Sequence, residues 1–344
     1  MRQVLVTGGA GFIGSNFIHH VLDTYPQVNM VNLDALTYAG NLENVSDIAE
    51  KKNHIFVHGD IRDHELLDTL FLKYHFDTVV NFAAESHVDR SIEAPDLFLS
   101  TNVLGTQALL ESARRCWTDS SFTEDKKFLQ VSTDEVYGAL GASGKFTESS
   151  PIAPNSPYSA SKASADLIAR AYHETYGLPV NITRCSNNYG PYQFPEKLIP
   201  LMINNCMQDK PLPIYGDGLQ IRDWLYVKDH CSAICAVLER GRPGQIYNIG
   251  GNNERSNLEI VHLLIKELGK SEQLITHVKD RPGHDRRYAI DNTKITTELG
   301  WVPSVTFEEG MITTIQWYLN HQDWMSHVTS GEYQSYYQTM YNGR

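Results

Sequence analysis

The sequence has no apolar run long enough to cross a membrane. Its apolar stretches break well short of the roughly 18 consecutive residues that a spanning helix needs, so an integral membrane protein is not expected. The pattern of a secretory signal is also missing, because Arg2 is followed at once by a strand-like segment that leads into Gly8. These two absences favour a soluble protein of the cytoplasm.

Cysteine is scarce, and its spacing is unremarkable. The five cysteines form no Cys-x-x-Cys pair, and the histidines show no metal-ligand spacing. The odd number of cysteines is typical of reduced thiols in the cytoplasm. We therefore predict neither a disulfide framework nor a bound metal.

Positively charged residues are fewer than negatively charged ones. Lys and Arg number 29 against 41 Asp and Glu, which gives a net charge of −12 at pH 7. Binding to nucleic acid or to an acidic membrane needs a basic field, so neither partner is expected. A local basic patch can still hold a phosphorylated small molecule. The length of 344 residues predicts one large domain or two modest ones.

The first half of the chain alternates β-branched runs with helical periods, which is typical of βαβ units around a parallel sheet. Strands are predicted at 4–7, 30–33, 54–58, 78–83, 128–132 and 180–184. Proline and glycine become frequent after Arg184, which indicates a second, smaller region. The predicted fold is α/β, a Rossmann-type doubly wound parallel sheet with a smaller C-terminal substrate-binding α/β region. We expect the sheet domain to span 1–187, with segments around 222–250 returning to it, and the second domain to span 188–344.

The segment TGGAGFIG, residues 7–14, follows the first predicted strand and opens the first predicted helix. Gly8, Gly11 and Gly14 have the spacing of a dinucleotide-binding turn, in which the backbone approaches a pyrophosphate closely. The helix N-terminus adds free N–H groups and a partial positive charge. Asp34 ends the second predicted strand, where a carboxylate binds a ribose hydroxyl and repels a 2′-phosphate. The pattern predicts NAD rather than NADP; the alternative is a plain glycine turn at the edge of a sheet.

Tyr158 and Lys162 lie four residues apart at the start of a predicted helix, and therefore on one helix face. An ammonium group next to a phenol favours the phenolate and lowers the pKa of the tyrosine. The pair is therefore predicted to act as a general base on a hydroxyl group whose carbon loses a hydride. The alternative is an ordinary surface contact between residues one turn apart.

Thr133, Asp134 and Glu135 stand at the end of the fifth predicted strand, at the edge where open α/β sheets bind ligands. Thr133 could hydrogen-bond the reacting oxygen beside Tyr158. Elimination of water needs both an acid and a base, which an adjacent carboxyl pair can supply. Neighbouring residues in a strand face opposite ways, so the two carboxyls share a pocket only if the strand ends at about Thr133. The alternative is a solvated pair in a loop.

Several longer motifs identify a family. The chain contains TGGAGFIG, AAESHVDRSI, STDEVYG, YSASK, NNYGP, YGDGLQIRDWLYV, YNIGG and RPGHDRRYAID. With them it resembles the extended short-chain dehydrogenase/reductase superfamily, and within it the nucleotide-sugar 4,6-dehydratases, from the N-terminus to about residue 320. The related 4-epimerases share the glycine turn and the Tyr–Lys pair but lack the Thr-Asp-Glu triplet.

The resemblance implies two sets of binding residues in addition to the catalytic Thr133, Asp134, Glu135, Tyr158 and Lys162. The NAD site would comprise Gly8, Gly11, Phe12, Ile13, Gly14, Asp34, Ala35, Leu36, Thr37, Asp60, Ile61, Phe82, Ala83, Ala84, Glu85, Thr101, Tyr158, Lys162 and Asn188. The sugar-nucleotide site would comprise Ser86, Thr133, Asn187, Lys197, Leu198, Pro213, Ile214, Tyr215, Arg222, Asn257, His284, Asp285, Arg286, Arg287 and Tyr288. Arg222, Arg286 and Arg287 suit a diphosphate, because guanidinium donors match phosphate oxygens.

The resemblance also implies a reaction and an assembly. The expected substrate is dTDP-glucose or a related nucleotide sugar, which loses water to give a 4-keto-6-deoxy sugar while tightly bound NAD is regenerated in each cycle. Two helices per subunit, roughly 97–116 and 158–176, would form a homodimer through a four-helix seam. A 4-epimerase or another dehydratase acting on a UDP-sugar, and a non-catalytic NAD-binding protein, remain alternatives.

Three stretches depart from the family pattern. They are residues 117–127, residues 139–157 and the tyrosine-rich tail 321–344. None of them contains a predicted catalytic residue. We expect the tail to dock on the body of the protein or on a partner.

Overall fold

The computed structural model describes residues 1–118, 125–331, 333, 334, 337 and 338. Parts of the variable stretches, residues 119–124, 332, 335, 336 and 339–344, lie outside the described residues. The described strands are β1 (Gln3–Thr7), β2 (Asn29–Asp34), β3 (His54–His58), β4 (Thr78–Asn81), β5 (Lys127–Thr133), β6 (Val180–Cys185), β7 (Asn187–Tyr189), β8 (Leu212–Tyr215), β9 (Ile221–Tyr226), β10 (Ile246–Ile249), β11 (Glu254–Ser256) and β12 (Ile275–Val278).

The helices alternate with the strands in the first half of the chain. They are α1 (Phe12–Thr24), α2 (His64–Tyr74), α3 (Val88–Glu93), α4 (Pro95–Phe98), α5 (Thr106–Thr118), α6 (Pro157–Tyr176), α7 (Leu198–Met207), α8 (Val227–Arg240), α9 (Asn257–Glu267), α10 (Thr293–Leu299), α11 (Phe307–Asn320) and α12 (Gln322–Val328). A π-helical turn (Leu99–Gly105) and three 3₁₀ turns (Leu42–Ile48, Asp134–Tyr137 and Glu272–Leu274) complete the elements.

Seven strands form one parallel sheet in the order β10-β6-β5-β4-β1-β2-β3. One sheet face packs against α1 and α8 through residues such as Phe17 and Ile234, and the other packs against α2, α5 and α6 through residues such as Phe71 and Leu109. Both faces are therefore covered, as the apolar strands require. The predicted doubly wound parallel sheet is confirmed.

The strand order changes direction between β1 and β4, and this switch point locates the site. In open α/β sheets a crevice forms where two neighbouring strands send their connections to opposite faces. The chain leaves β1 through Gly8 and leaves β4 through Phe82, so both connections line that crevice.

The second region is built on two small sheets, one of β11, β9 and β7 and one of β12 and β8. Its core includes Met202, Ile260 and Phe307. Between these elements, α8 packs against α1 and β10 pairs with β6 in the large sheet. None of the helices in the described part of the chain is long and apolar enough to cross a membrane.

Candidate active site

Two adjoining cavities open beyond the carboxyl edge of the large sheet. The first has a volume of about 320 Å³ and runs from the glycine turn to the end of β5. The second, about 160 Å³, lies between that edge and the second region. The two share Glu135, Asn187, Asn188 and Lys197, so a ligand in one can meet a ligand in the other.

Most of the predicted binding residues line these cavities. The first is lined by Gly8, Gly11, Phe12, Ile13, Gly14, Asp34, Ala35, Thr37, Asp60, Ile61, Phe82, Ala83, Ala84, Glu85, Ser86, Thr101, Thr133, Asp134, Glu135, Tyr158, Lys162, Asn187, Asn188 and Lys197. The second is lined by Glu135, Asn187, Asn188, Lys197, Leu198, Pro213, Ile214, Tyr215, Arg222, Asn257 and His284.

The glycine turn fits a dinucleotide pyrophosphate. Gly8 has φ +71°, which L side chains rarely adopt, and a Cβ there would lie 2.7 Å from the Ala83 nitrogen. A Cβ on Gly14 would lie 2.2 Å from the Gly8 carbonyl oxygen. Gly11 caps α1 without a side-chain hydrogen bond, so the first N–H groups of the helix stay available to an anionic ligand.

Asp34 ends β2 at the ribose end of the same cavity. Its Oδ2 accepts a hydrogen bond from Ala10 N at 2.9 Å, and its Oδ1 accepts one from Leu36 N at 2.8 Å. Burial raises the pKa of this carboxyl, and the two backbone donors oppose that rise. Leu36 does not line the cavity; its part is to hold the carboxylate in place. The carboxylate oxygens keep lone pairs for ribose hydroxyls.

The acidic pair shares the first cavity because β5 ends at Thr133. From Asp134 the backbone enters a 3₁₀ turn, and the Thr133 hydroxyl caps it by accepting a hydrogen bond from Glu135 N at 3.2 Å. Had the strand continued, the two carboxyls would point to opposite faces of the sheet. The turn brings both to the wall beside Tyr158.

The two carboxyls have different surroundings. Asp134 is 1% exposed, and its Oδ2 is buried with no hydrogen-bond partner among the described residues. Burial, with further contributions from Glu135 and Asp223, raises the pKa of Asp134 well above its usual range. Glu135 is only partly buried and borders both cavities. Asp134 is therefore suited to give a proton and Glu135 to take one.

Tyr158 and Lys162 are brought to the cavity by the first turns of α6. Ser156 and Ser159 form a capping box, and Pro157 occupies the first turn. The expectation that Lys162 lowers the pKa of Tyr158 is wrong for this arrangement. Burial raises the pKa of Tyr158 well above 10, and Glu135 raises it further.

The Lys162 ammonium group hydrogen-bonds the backbone of β5 in this arrangement. Its Nζ donates to the Val131 carbonyl oxygen at 2.7 Å. Burial lowers the pKa of this ammonium group, and the charge of Asp166 opposes that change. The Tyr158 phenol is thus neutral before a ligand binds.

Arg222 supplies a buried cation to the second cavity. It is 5% exposed and donates to the carbonyl oxygens of Ile221 and Asp285 at 2.8 and 2.9 Å. Its guanidinium also lies 4.4 Å from the centre of the Tyr288 ring. It forms no ion pair with any carboxylate of the described residues, and its burial lowers its pKa. This uncompensated charge suits an anionic ligand.

The structure corrects the predicted diphosphate contacts of Arg286 and Arg287, neither of which lines either cavity. Arg286 forms an exposed ion pair with Asp217 at 2.8 Å, and Arg287 pairs with Glu254 at 2.7 Å. Both charges are neutralised where they lie. Asp285 likewise stays outside the cavities.

Tyr288 also lies outside the cavity walls. It donates to the Asp285 carboxylate and packs on the Arg222 guanidinium. Asp285 in turn accepts from Arg222 through its carbonyl oxygen, so both residues support that guanidinium from behind the cavity.

Known proteins are similar to this chain in sequence and in fold. The pattern that defines the GDP-mannose 4,6 dehydratase family matches residues 5–314. The chain belongs to this family. A dTDP-glucose 4,6-dehydratase from Xanthomonas campestris pv. campestris (strain B100) is 56% identical to this family member, over 97% of each chain.

Two solved structures share the fold. The dTDP-glucose 4,6-dehydratase of Bacillus anthracis, crystallised with NAD, has a TM-score of 0.88 and 53% identity, covering 95% of this chain and 100% of its own. The enzyme of the same name from Streptomyces venezuelae, also crystallised with NAD, has a TM-score of 0.89 and 50% identity, covering 94% and 98%. The resemblance inferred from the motifs is confirmed.

Several residues that line the two cavities were not predicted from the sequence. Arg281 lines the second cavity, and its Nε is buried with no hydrogen-bond partner among the described residues. Its charge also helps burial to lower the pKa of His284 to about 4. Arg281 is the first residue of the RPGHDRRYAID motif, which also contains Arg286 and Arg287. The motif therefore indicated the segment but not which of its three arginines faces the cavity.

Glu196 was missed for a different reason. It is fully buried, lines both cavities and accepts a hydrogen bond from the Tyr38 hydroxyl at 3.0 Å. Burial raises the pKa of this carboxyl. Its loop carries no periodic pattern, and its partner lies 158 residues away in the sequence. No local signal could have indicated this contact.

Proposed function

We propose that the chain is an NAD-dependent hydro-lyase that converts dTDP-glucose to dTDP-4-keto-6-deoxy-glucose and water, in deoxysugar biosynthesis. One observation carries the proposal: Asp134 and Glu135, in different electrostatic surroundings, face the cavity that also holds Tyr158. Relatives that share more than half of its residues bear the name of this activity.

The first cavity is the NAD site in this proposal. The glycine turn and the N-terminus of α1 hold the pyrophosphate, and Asp34 holds a ribose. The remaining residues predicted for NAD, apart from Leu36, line the walls. When bound there, NAD would supply the hydride acceptor for sugar C4 and the hydride donor for C6, and its oxidised ring would bring a positive charge to the cavity that Tyr158 lines. Because the cofactor is regenerated in each cycle, it stays bound.

The protein side chains move the protons. Tyr158, hydrogen-bonded to Thr133, is neutral in the empty site and loses its own proton once the positive charge of oxidised NAD lies beside it. The phenolate then takes the proton of the C4 hydroxyl. Lys162, one helical turn away, lines the same cavity. The 4-ketone makes the C5 proton acidic, and Glu135 removes it. Asp134, kept protonated by its burial, gives its proton to the C6 hydroxyl, which leaves as water. Glu135 then returns its proton to C5, and the proton that Tyr158 took from the C4 hydroxyl replaces the one that Asp134 gave up. The net change is the loss of one water.

The second cavity is the nucleotide end of the substrate site. Arg222 and Arg281 bind the diphosphate, since both line this cavity. The Arg222 side chain is buried, and the Nε of Arg281 is buried without a hydrogen-bond partner among the described residues. Lys197, whose Nζ donates to the Ser86 carbonyl oxygen at 3.0 Å, lies at the junction of the two cavities. The sugar therefore reaches the acidic pair while the diphosphate stays on the second region.

The assembly and location are part of the proposal. Three leucines on neighbouring elements are exposed, Leu97 on α4, Leu104 on the π-helical turn and Leu167 on α6, and we assign them to the seam of a homodimer. We assign residues 1–187, with α8 and β10, to the NAD-binding domain and the rest to the sugar-nucleotide domain. All five thiols are free, which favours the reducing cytoplasm.

Mass spectrometry of the product tests the proposal. The purified protein is incubated with dTDP-glucose and, separately, with UDP-glucose, without added NAD. We expect the dTDP-sugar alone to lose one water. Loss from the UDP-sugar alone would keep the mechanism and overturn the substrate.

Two further samples complete this experiment. Glu135→Gln is expected to give no detectable loss of water while still binding the sugar nucleotide, and the exposed Glu308→Gln serves as its control. Undiminished turnover in Glu135→Gln would show that this residue is not the base. No mass change in the parent protein, even with NAD supplied, would overturn the dehydratase.

A further inference from the structure

The end of the chain contacts the NAD-binding region although the mechanism uses none of its residues. Trp324 of α12 is buried, and its Nε1 donates to Asn44 Oδ1 at 2.8 Å. Asn44 is 1% exposed, and its Nδ2 donates to the Ala10 carbonyl oxygen at 2.8 Å. Ala10 lies within the glycine turn. A chain of two buried hydrogen bonds therefore connects α12 to the turn that holds the pyrophosphate.

A second contact reaches the wall of the same cavity. Tyr333 is 7% exposed, and its hydroxyl donates to the Pro195 carbonyl oxygen at 3.0 Å. Its ring meets the Phe194 ring edge-on at 5.7 Å, and the Phe194 ring meets Tyr38 in the same way at 5.7 Å. Phe194 itself lines the first cavity. Tyr333 thus packs against a loop that lines the cavity, on the side where Phe194 contacts Tyr38.

That loop is also tied to the opposite wall. Tyr38 lies between Thr37 and Ala39, which both line the cavity, and its hydroxyl donates to Glu196 Oε1 at 3.0 Å. The Arg90 guanidinium lies 3.8 Å from the centre of the Tyr38 ring and pairs with Glu196 at 3.4 Å. The loops around Tyr38 and Glu196 are therefore joined across the cavity. Both loops line the first cavity, so these contacts hold two parts of its wall together.

From these contacts we propose that α12 and Tyr333, in the described part of the C-terminal segment, form a brace that slows the release of NAD. Trp324 fixes the glycine turn through Asn44, and Tyr333 holds the loop containing Phe194 and Glu196 closed over the cofactor. The inference rests on the proposed function for the identity of the dinucleotide. Trp324 and Tyr333 are positioning residues, since neither lines a cavity.

The experiment measures how fast NAD leaves the protein. Parent protein, Trp324→Phe, Tyr333→Phe and the double variant are loaded with radiolabelled NAD and chased with an excess of unlabelled NAD, without sugar nucleotide. Tyr333→Phe keeps the ring and loses the hydroxyl that donates to Pro195, and Trp324→Phe replaces the indole by a smaller ring without a donor for Asn44. We expect each to release label about five- to tenfold faster, the factor for one buried hydrogen bond, and the double variant to multiply the two factors.

Two matched controls separate bracing from general destabilisation. Tyr337→Phe removes a hydroxyl that accepts from Asn205 in α7, at 3.0 Å. Trp301→Phe removes an indole donor to the Ser232 hydroxyl, at 2.9 Å. Both controls are expected to lower the thermal midpoint by amounts similar to those of the test variants. Their NAD release is expected to match that of the parent.

The outcomes also separate this inference from the proposed function. At saturating NAD, all four single variants are expected to turn over like the parent protein. Label loss from Trp324→Phe and Tyr333→Phe at the rate of the two controls would overturn the brace and leave the dehydratase intact. A parent protein that retains no label at all would overturn the brace and show that NAD does not stay bound, whereas the dehydratase itself is decided by the mass change of its substrate.

Discussion

At the scale of single residues, the end of β5 at Thr133 and the start of a 3₁₀ turn at Asp134 give two neighbouring carboxyls different surroundings. Asp134 is 1% exposed in the wall of the first cavity, whereas Glu135 is only partly buried and borders both cavities. Burial disfavours the charged form, so Asp134 keeps its proton at pH values where an exposed aspartate has lost it. An acid and a base can therefore come from adjacent positions of one chain.

Keeping Asp134 protonated lowers the stability of the fold at neutral pH. Its pKa is raised in the folded protein, so between the unfolded and folded pKa values only the unfolded chain is ionised there. Asp134→Asn removes this penalty. We expect the thermal midpoint of this variant to exceed that of the parent at pH 7, because the amide carries no charge in either the folded or the unfolded chain. Its dehydration rate is expected to fall about 100-fold or more.

Thermal melts between pH 4 and pH 8 check this prediction. The gain from Asp134→Asn is expected to vanish near pH 4, where the unfolded carboxyl is also protonated, and to grow as the pH rises. Asp217→Asn is the control, since Arg286 lowers the pKa of Asp217 to about 2 and no gain is expected there. A gain that is equal at all pH values would contradict the electrostatic explanation.

The sequence was informative about residues that follow the ends of strands. The glycine turn and the Thr133–Glu135 triplet stand directly after β1 and β5, where topology alone places ligands. It was uninformative about which arginines face a ligand. Arg281 and Arg286 belong to the same motif. Arg286 is neutralised by an ion pair with Asp217, which is distant in the sequence, whereas Arg281 lines the second cavity.

At the scale of elements, the N-terminus of α6 sets the position of Tyr158. The Ser156 hydroxyl accepts a hydrogen bond from Ser159 N at 3.1 Å. Ser156→Ala removes it, which costs about 1 kcal/mol of stability, and loosens the turn that carries the phenol. We expect turnover to fall several-fold in this variant. Thr306→Ala is the matched control, because it removes a capping box of the same kind from α11.

Chemical denaturation and initial rates measure the two effects separately. Both variants are expected to lose similar stability, and only Ser156→Ala is expected to lose activity. Equal activity in the two variants would show that the cap merely stabilises the helix and does not position Tyr158.

Element boundaries near the site followed from local chemistry. The predicted helix start at Tyr158 agrees with α6, and β-branched runs predicted β1 to β6 to within a few residues. The division into small sheets after residue 185 did not follow, because β7, β9 and β11 pair across long separations in sequence. Such pairing is decided by tertiary packing, which short windows of sequence do not record.

At the scale of the whole molecule, the proposed dimer buries leucines that are otherwise in water. Leu104 is 61% exposed and Leu167 is 54% exposed, on elements that pack against each other. A carboxylate at position 104 would have to leave water in the seam, which is unfavourable without a partner. Leu104→Glu is therefore expected to be a monomer at micromolar concentration, with a loss of dimer affinity of about 100-fold or more.

Sedimentation equilibrium of the parent protein and the variant tests this assembly. Ile312→Glu places the same charge at an exposed apolar position of α11, away from the proposed seam, and is expected to remain dimeric. Because α6 carries both Leu167 and Tyr158, separating the subunits also removes support from the catalytic helix, so we expect the monomer to be less active as well as smaller. A parent protein that is monomeric, or a Leu104→Glu variant as dimeric as Ile312→Glu, would place the subunit contact elsewhere or show that there is none.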